Sequence, residues 1–372
     1  MTISTHLAAP ALLVALFLAP ACGAGTASGQ DGGLPDGDAG ASDAGPDDGG
    51  TDSGPGDGGD GGSDCPLGVI CVDTLPFHDE NDTGLSTARD LDGYGCAPGT
   101  DESGPERIYR VRLPTAGFFS AAVHDGAGVD VDLHLLASLD AADCLDRGDL
   151  SVAADLEAGF VYVVADTYVS GGVEHAGPYG LDLGLLVPSE GDCGLEVGTM
   201  ARVNDGGNTL AMPATGPIVR EAHLVTAEEP EPYPSAAREF IERHYALSQE
   251  TTGLVMHRLE SWAPLEGGSF YGAGIGSPTL LPVLEEGWYV NMYWQVSDRP
   301  ARGTRMILRL PGTDRAVVVA AGHETGPGNL AHIGGTPEET HFYLGTSHLD
   351  VLTLGIAVDQ SLPFGPRRCT GP

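Results

Sequence analysis

The chain is predicted to be mostly β: a β-sandwich, then a second, barrel-like β-rich region with one helix, both carried behind a disordered amino-terminal tether. Three observations predict this. Between residues 65 and 192, short apolar runs recur with turn residues between them, the pattern of an all-β sandwich. Later, Gly287 to Val296 alternates strictly, and Arg305 to Ala321 reads as a hairpin ending in a β-branched run. Residues 23 to 64 are almost entirely Gly, Asp, Ala, Ser and Pro, which cannot bury enough apolar surface to offset chain entropy.

Of 372 residues, 53 are acidic and 17 basic, every basic one arginine, for a formal net charge of -36. Phosphate recognition needs clustered cations, so this balance argues against nucleic acid as a partner and against adhesion to anionic headgroups. Residues 11 to 19, ALLVALFLA, are too short a run to span a bilayer and suit a secretory signal. The run stops at Pro20-Ala21-Cys22-Gly23. This resembles a bacterial lipoprotein processing site, which implies a signal over 1–22, lipid on Cys22, and a membrane-anchored address in the cell envelope, at the outer membrane or cell surface. The simpler alternative is a cleaved secretory signal. The aspartates of residues 23 to 64 repel, which extends the tether.

In the sandwich region, 65–192, strands are expected at Ile108 to Leu113, Gly117 to Val123, Val129 to Ala137, Leu150 to Ala154, Gly159 to Ala165 and Tyr179 to Leu186. Phe160 to Val164 has the apolar density of a central strand. Asp130, Asp132 and His134 alternate with Val131, Leu133 and Leu135, as on an edge strand. Glu80-Asn81-Asp82-Thr83 with Ala88, Gly104 to Val111, Asp130 to Leu135 and Gly177 to Leu181 resemble the bacterial pre-peptidase C-terminal domain, a small jelly-roll-like sandwich. The resemblance implies an accessory role beside exported enzymes, with binding of collagen or polysaccharide in some members and calcium in others. It places calcium ligands at Asp79, Asn81 and Asp82, oxygen donors suited to that ion. The same residues also start turns without any metal.

In 193–372, Leu195 to Val203 and Thr209 to Val225 read as strands, and Pro234 opens a helix capped by Ser235 and running to about Ser248. In Gly287 to Val296, Trp288, Val290 and Met292 form one face, expected to be core. Tyr289, Asn291 and Tyr293 form the other. Rings interleaved with amides suit carbohydrate, because ring faces stack on pyranose C–H groups; a half-exposed sheet face is the ordinary alternative.

The hairpin turns at Pro311-Gly312-Thr313-Asp314 and ends on a loop from Gly322 through His323, Glu324, Thr325 and Gly326 to Pro327. The valine-rich strand leading to Glu324-Thr325-Gly326-Pro327, with Leu344-Gly345 after it, resembles the second half of a double-psi β-barrel of the barwin, expansin, rare-lipoprotein-A and 3D-domain families. Glu324 stands where those families place an aspartate. Their second aspartate is replaced by Gly334-Gly335-Thr336, with Glu338 and Glu339 displaced. The resemblance implies wall-acting chemistry with Glu324 as general acid, helped by His323 or Asp350, while the missing second acid implies a barrel that only binds. Ser347-His348 and Gly355 to Asp359 are similar to the signature of zinc D,D-carboxypeptidases, but four extra residues intervene and the downstream histidine motif is missing.

Seven cysteines leave six once Cys22 carries lipid, enough for three disulfides. Pairing within domain boundaries joins Cys65 to Cys71, Cys96 to Cys144 and Cys193 to Cys369, one of fifteen connectivities among which sequence alone does not choose. Two functions follow as expectations. The first is an envelope lipoprotein that binds cell-wall or extracellular polysaccharide. The alternative is a lytic transglycosylase or hydrolase built on Glu324.

Overall fold

The computed structural model describes residues 65–203, 209–221, 252–256, 269–270, 287–292, 299–324 and 332–370. The expected signal segment, Cys22, the tether, the helix from Pro234 to Ser248, and Tyr293 lie outside the described residues. No helix among the described residues is long and apolar enough to cross a membrane. Residues from Gly61 to Pro372 form one compact unit.

The first half of that unit is a sandwich. Its strands are β1 (Val69–Val72), β2 (Phe77–Asp82), β3 (Arg107–Leu113), β4 (Gly117–Asp125), β5 (Val131–Leu136), β6 (Cys144–Gly148), β7 (Ser151–Leu156), β8 (Gly159–Thr167), β9 (Val169–Ser170), β10 (Val173–Glu174) and β11 (Pro178–Leu186). One sheet runs β1-β3-β8-β5-β6 and the other β2-β11-β4-β7. Alternation along each strand puts Tyr109, Val111, Leu133, Leu135, Val161 and Val163 of the first sheet against Phe119, Ala121, Val123, Leu181 and Leu183 of the second. All six expected strands are present. β5 departs from its expected edge position: it lies between β8 and β6, and all six of its residues are buried. The reason is the segment between β2 and β3, which folds over the outer face of this sheet and is fastened there by Cys96–Cys144.

The second half contains β12 (Ser189–Gly191), β13 (Gly198–Val203), β14 (Thr209–Met212), β15 (Ala214–Glu221), β16 (Ser269–Phe270), β17 (Tyr289–Met292), β18 (Thr304–Arg309), β19 (Arg315–Glu324), β20 (Gly334–Pro337), helix α1 (Glu338–Leu344), β21 (Val351–Ile356) and β22 (Gly365–Cys369). Six of these close on themselves in the order β19-β17-β20-β15-β21-β18 and back to β19, a barrel with parallel pairs at β17/β19 and β15/β20. The register pairs are staggered round it, with a bulge between Val290 and Asn291. Such stagger tilts the strands enough for Met292, Met306, Leu308, Val317, Val319, Leu352 and Leu354 to fill the interior. The expected hairpin is β18–β19, with Gly312 at φ 83 in its turn, where a side chain would be strained.

Helix α1 is an element that the sequence patterns did not single out. Pro337 precedes it, Glu338 and Glu339 occupy its first turn, and Gly345 ends it in the left-handed conformation at φ 67. The two halves meet along β4. Phe118 packs edge-on against Tyr343 and Phe342 of α1, with ring centroids 5.2 and 6.0 Å apart, and joins the barrel's core cluster. Beside it Asp155 of β7 pairs with both Arg315 and Arg368. β12, placed with the sandwich by the expected boundary at 192, instead pairs in parallel with β22.

Candidate functional site

β19 was expected to stop at Ala321, but the strand continues through Gly322 and His323 to Glu324. It continues because partners flank it: Ser269 and Phe270 of β16 on one side, Asn291 and Met292 of β17 on the other. The Glu324 backbone is thus paired on both sides, one residue beyond a bulge. Asp350 precedes β21, which β18 separates from β19 on one side and β15, β20 and β17 on the other, so these two residues do not lie on adjacent strands. The Asp350 carboxylate instead accepts the Ser347 N–H at 2.6 Å and shapes the turn before β21.

His341 and His348 have separate roles. His348 is exposed and accepts the Arg220 N–H through Nδ1 at 3.2 Å. His341 is buried inside α1, its Nδ1 2.9 Å from Thr346 Oγ1, and burial pushes its imidazole down to about 4. Glu338 pairs with Arg220 at 3.1 Å.

The expected sugar-facing side of β17 is interior. Tyr289 is 0% and Asn291 4% exposed, as buried as Trp288 and Met292 on the strand's other face. In the sandwich, Asp79 Oδ2 accepts from Tyr109 Oη at 2.8 Å and Asn81 Nδ2 at 3.0 Å. Asn81 Oδ1 accepts the Asp82 N–H, and Asp82 Oδ1 accepts the Gly84 N–H at 2.7 Å to cap a short 3-10 turn. Each of the three expected calcium ligands therefore has a side-chain oxygen engaged by a protein donor, which gives them a bracing and capping role in this arrangement. All three disulfides join the expected partners.

Two features of the outer face of the β1-β3-β8-β5-β6 sheet had no place in the sequence reading. The open part carries Phe160, 54% exposed, with the Arg110 guanidinium 4.7 Å from its ring centre; Arg112 is its cross-strand partner and Tyr162 faces Arg110. The covered part holds an ionisable cluster. Glu102, Asp132, His134 and Asp166 are all within 1% of full burial. Asp132 pairs with Arg147, and His134 Nε2 lies 3.6 Å from Glu102 Oε1. The Tyr94 ring stacks on the His134 ring at 3.5 Å and 8°, and its hydroxyl donates to Asp166 Oδ2 at 2.6 Å. Burial pushes the Asp166 carboxyl up to about 9 and the His134 imidazole down to about 4, and it raises Glu102 and Asp132 as well. The signal was present in Asp132 and His134 alternating along β5, with Asp166 cross-strand from Asp132, but alternation alone reads as a wet face.

No protein-family model matches the chain, and no curated protein matches it. Among solved structures, the pre-peptidase C-terminal domain of a collagenase from Bacillus anthracis is similar at 13% identity and a TM-score of 0.23, covering 32% of this chain and 98% of that one. A periplasmic inhibitor of g-type lysozyme from Aeromonas hydrophila, PliG, is similar at 11% identity and a TM-score of 0.20, over 31% of this chain and 95% of its own. The CUB1-EGF-CUB2 domains of rat MASP-1 are similar at 9% identity and a TM-score of 0.18, over 80% and 97%. None of the three defines a function for this chain.

Proposed function

We propose that the protein is an exported lipoprotein of the cell envelope that holds cell-wall or extracellular polysaccharide on its sandwich, with Cys22 as the anchor and residues 23–64 as the stalk. The observation that carries the binding reading is the open sheet face around Phe160. A half-exposed ring offers a face or edge to pyranose C–H groups, and Arg110, Arg112 and Tyr162 set donors around it for hydroxyl or carboxylate oxygens. The three disulfides support export to an oxidising compartment. The test is co-sedimentation of the full chain, made soluble by Cys22→Ser, with insoluble peptidoglycan and with a resin bearing an acidic polysaccharide. Phe160→Ala and Tyr162→Ala are each expected to weaken retention by roughly 3- to 10-fold, the worth of a ring contact. Retention unchanged in both variants overturns the reading.

The second reading, a wall-cleaving enzyme on a double-psi barrel, draws on the closed six-stranded barrel with its two parallel pairs and on the bulge that precedes Glu324. One positioned acid suits a lytic transglycosylase better than a two-carboxylate hydrolase.

A further inference from the structure

We propose that Glu102, His134 and Asp166 form a metal site that takes a divalent transition-metal cation, zinc by its donor set, beneath the segment fastened by Cys96–Cys144. One donor atom from each of the three lies within 4.8 Å of the other two. Zinc held by imidazole nitrogen and carboxylate oxygen spaces its ligand atoms about 3.4 Å apart, so a small contraction closes the set, and the 3.6 Å from His134 Nε2 to Glu102 Oε1 is already near that distance.

Three further observations point to a ligand. Both carboxylate oxygens of Glu102 and both ring nitrogens of His134 are fully buried and lack a hydrogen bond, a costly state for polar atoms unless something sits between them. Charge gives the second. Arg147 pairs with Asp132 and lies 3.6 Å from Glu102, so one cation faces three buried carboxyl groups, and a divalent cation would let Glu102 and Asp166 ionise. The third is the support around the ligands. Tyr94 Oη and the Thr167 N–H donate to the two oxygens of Asp166, and the Tyr94 ring fixes the plane of the imidazole, as outer partners of metal ligands do. Cys96 and Cys144 also approach His134, but they are bonded to each other and carry no thiolate. Each ligand comes from a different element: Glu102 from the covering segment, His134 from β5, Asp166 from β8. A cation here would fasten the covering segment to the sheet and couple metal binding to folding.

The competing occupant is a proton shared by Glu102 and Asp132, which burial also favours. The experiment uses the untagged full chain under non-reducing conditions. Elemental analysis after gel filtration, X-ray absorption at the zinc edge, and thermal melts with EDTA followed by added zinc are measured on wild type, Glu102→Gln, Asp166→Asn and Tyr94→Phe. The expected result is about one tightly held zinc per chain with a nitrogen/oxygen shell free of sulfur, a melt lowered by EDTA and restored by zinc, and loss of both in Glu102→Gln. Tyr94→Phe keeps the ring and loses one hydroxyl, so it folds without needing the charge cluster intact. It is expected to lower zinc affinity about 10- to 100-fold. A wild type that neither copurifies with nor binds zinc, and melts the same with EDTA, overturns the proposal in favour of the proton. Sulfur in the shell, or zinc held equally by Glu102→Gln and Asp166→Asn, overturns it as well.

Discussion

His341 is a histidine that folding keeps neutral. Its imidazole sits against the core of α1 and drops to about 4, against roughly 6.5 in an unfolded chain. Between those values the unfolded chain binds the proton and the folded one does not, so stability is complete above about pH 6.5 and falls as pH is lowered toward 4, by about 3 kcal/mol across the window. Urea unfolding at pH 7.5 and 4.5 should show this loss in wild type. It should be largely removed in His341→Asn, which keeps a polar partner for Thr346 without the titration. At Glu324 the relevant quantity is a rate. If the wall-cleaving reading holds, Glu324→Gln keeps the shape and removes the proton, and muropeptide release should fall by two to four powers of ten with folding intact. Undiminished release would remove Glu324 as the acid.

At the scale of elements, β4 carries more than its share. Phe118 ties the sandwich to α1, and its truncation to alanine should cost about 3 to 5 kcal/mol, since the cavity would open between two rigid halves that cannot both collapse into it. Calorimetry of Phe118→Ala should also resolve two transitions where wild type gives one. Asp155 next to it is a weaker tie. Burial raises its carboxyl, the hydrogen bonds from Arg368 and Arg315 outweigh that and hold it below its ordinary value, and its side chain is 36% exposed. After solvent screening, Asp155→Asn should cost about 1 kcal/mol at neutral pH. That contribution is present above the unfolded carboxylate value and disappears as pH falls through the lower folded one. Both ties join residues far apart in sequence, and neither Phe118 nor Asp155 differs locally from any other strand residue.

Across the whole molecule, what was legible followed from short-range pattern. The six expected sandwich strands and the 305–321 hairpin rest on period-two alternation and turn residues within ten or so positions, and the disulfide pairs follow from domain-wise grouping. What was illegible depended on what covers what. Tyr289 and Asn291 alternate as a wet face does, yet they are buried on the face turned away from the barrel core; Asp132 and His134 alternate likewise, yet a segment some thirty residues upstream lies over them. Periodicity reports that a strand has two faces and is silent on whether the polar one meets water. For the chain as a whole, labelling with a palmitate analogue should mark wild type and not Cys22→Ser. Unequal labelling is the expected outcome, and equal labelling would refute lipidation.

The last five-residue strand also sets a schedule. β22 lies between β12 and the first half of β19, so β12 and one edge of residues 315–318 wait for Gly365–Cys369 before their backbone groups are paired. A nascent chain emerges amino terminus first. The sandwich can therefore close once Leu186 has emerged, while β12 and one edge of β19 stay unpaired until Gly365 to Cys369 arrives. A chain cut short just ahead of Gly365 would carry bare strand edges at Ser189–Gly191 and residues 315–318, a ready template for aggregation. Translation through Cys369 is thus a condition for covering these edges, independent of any ligand.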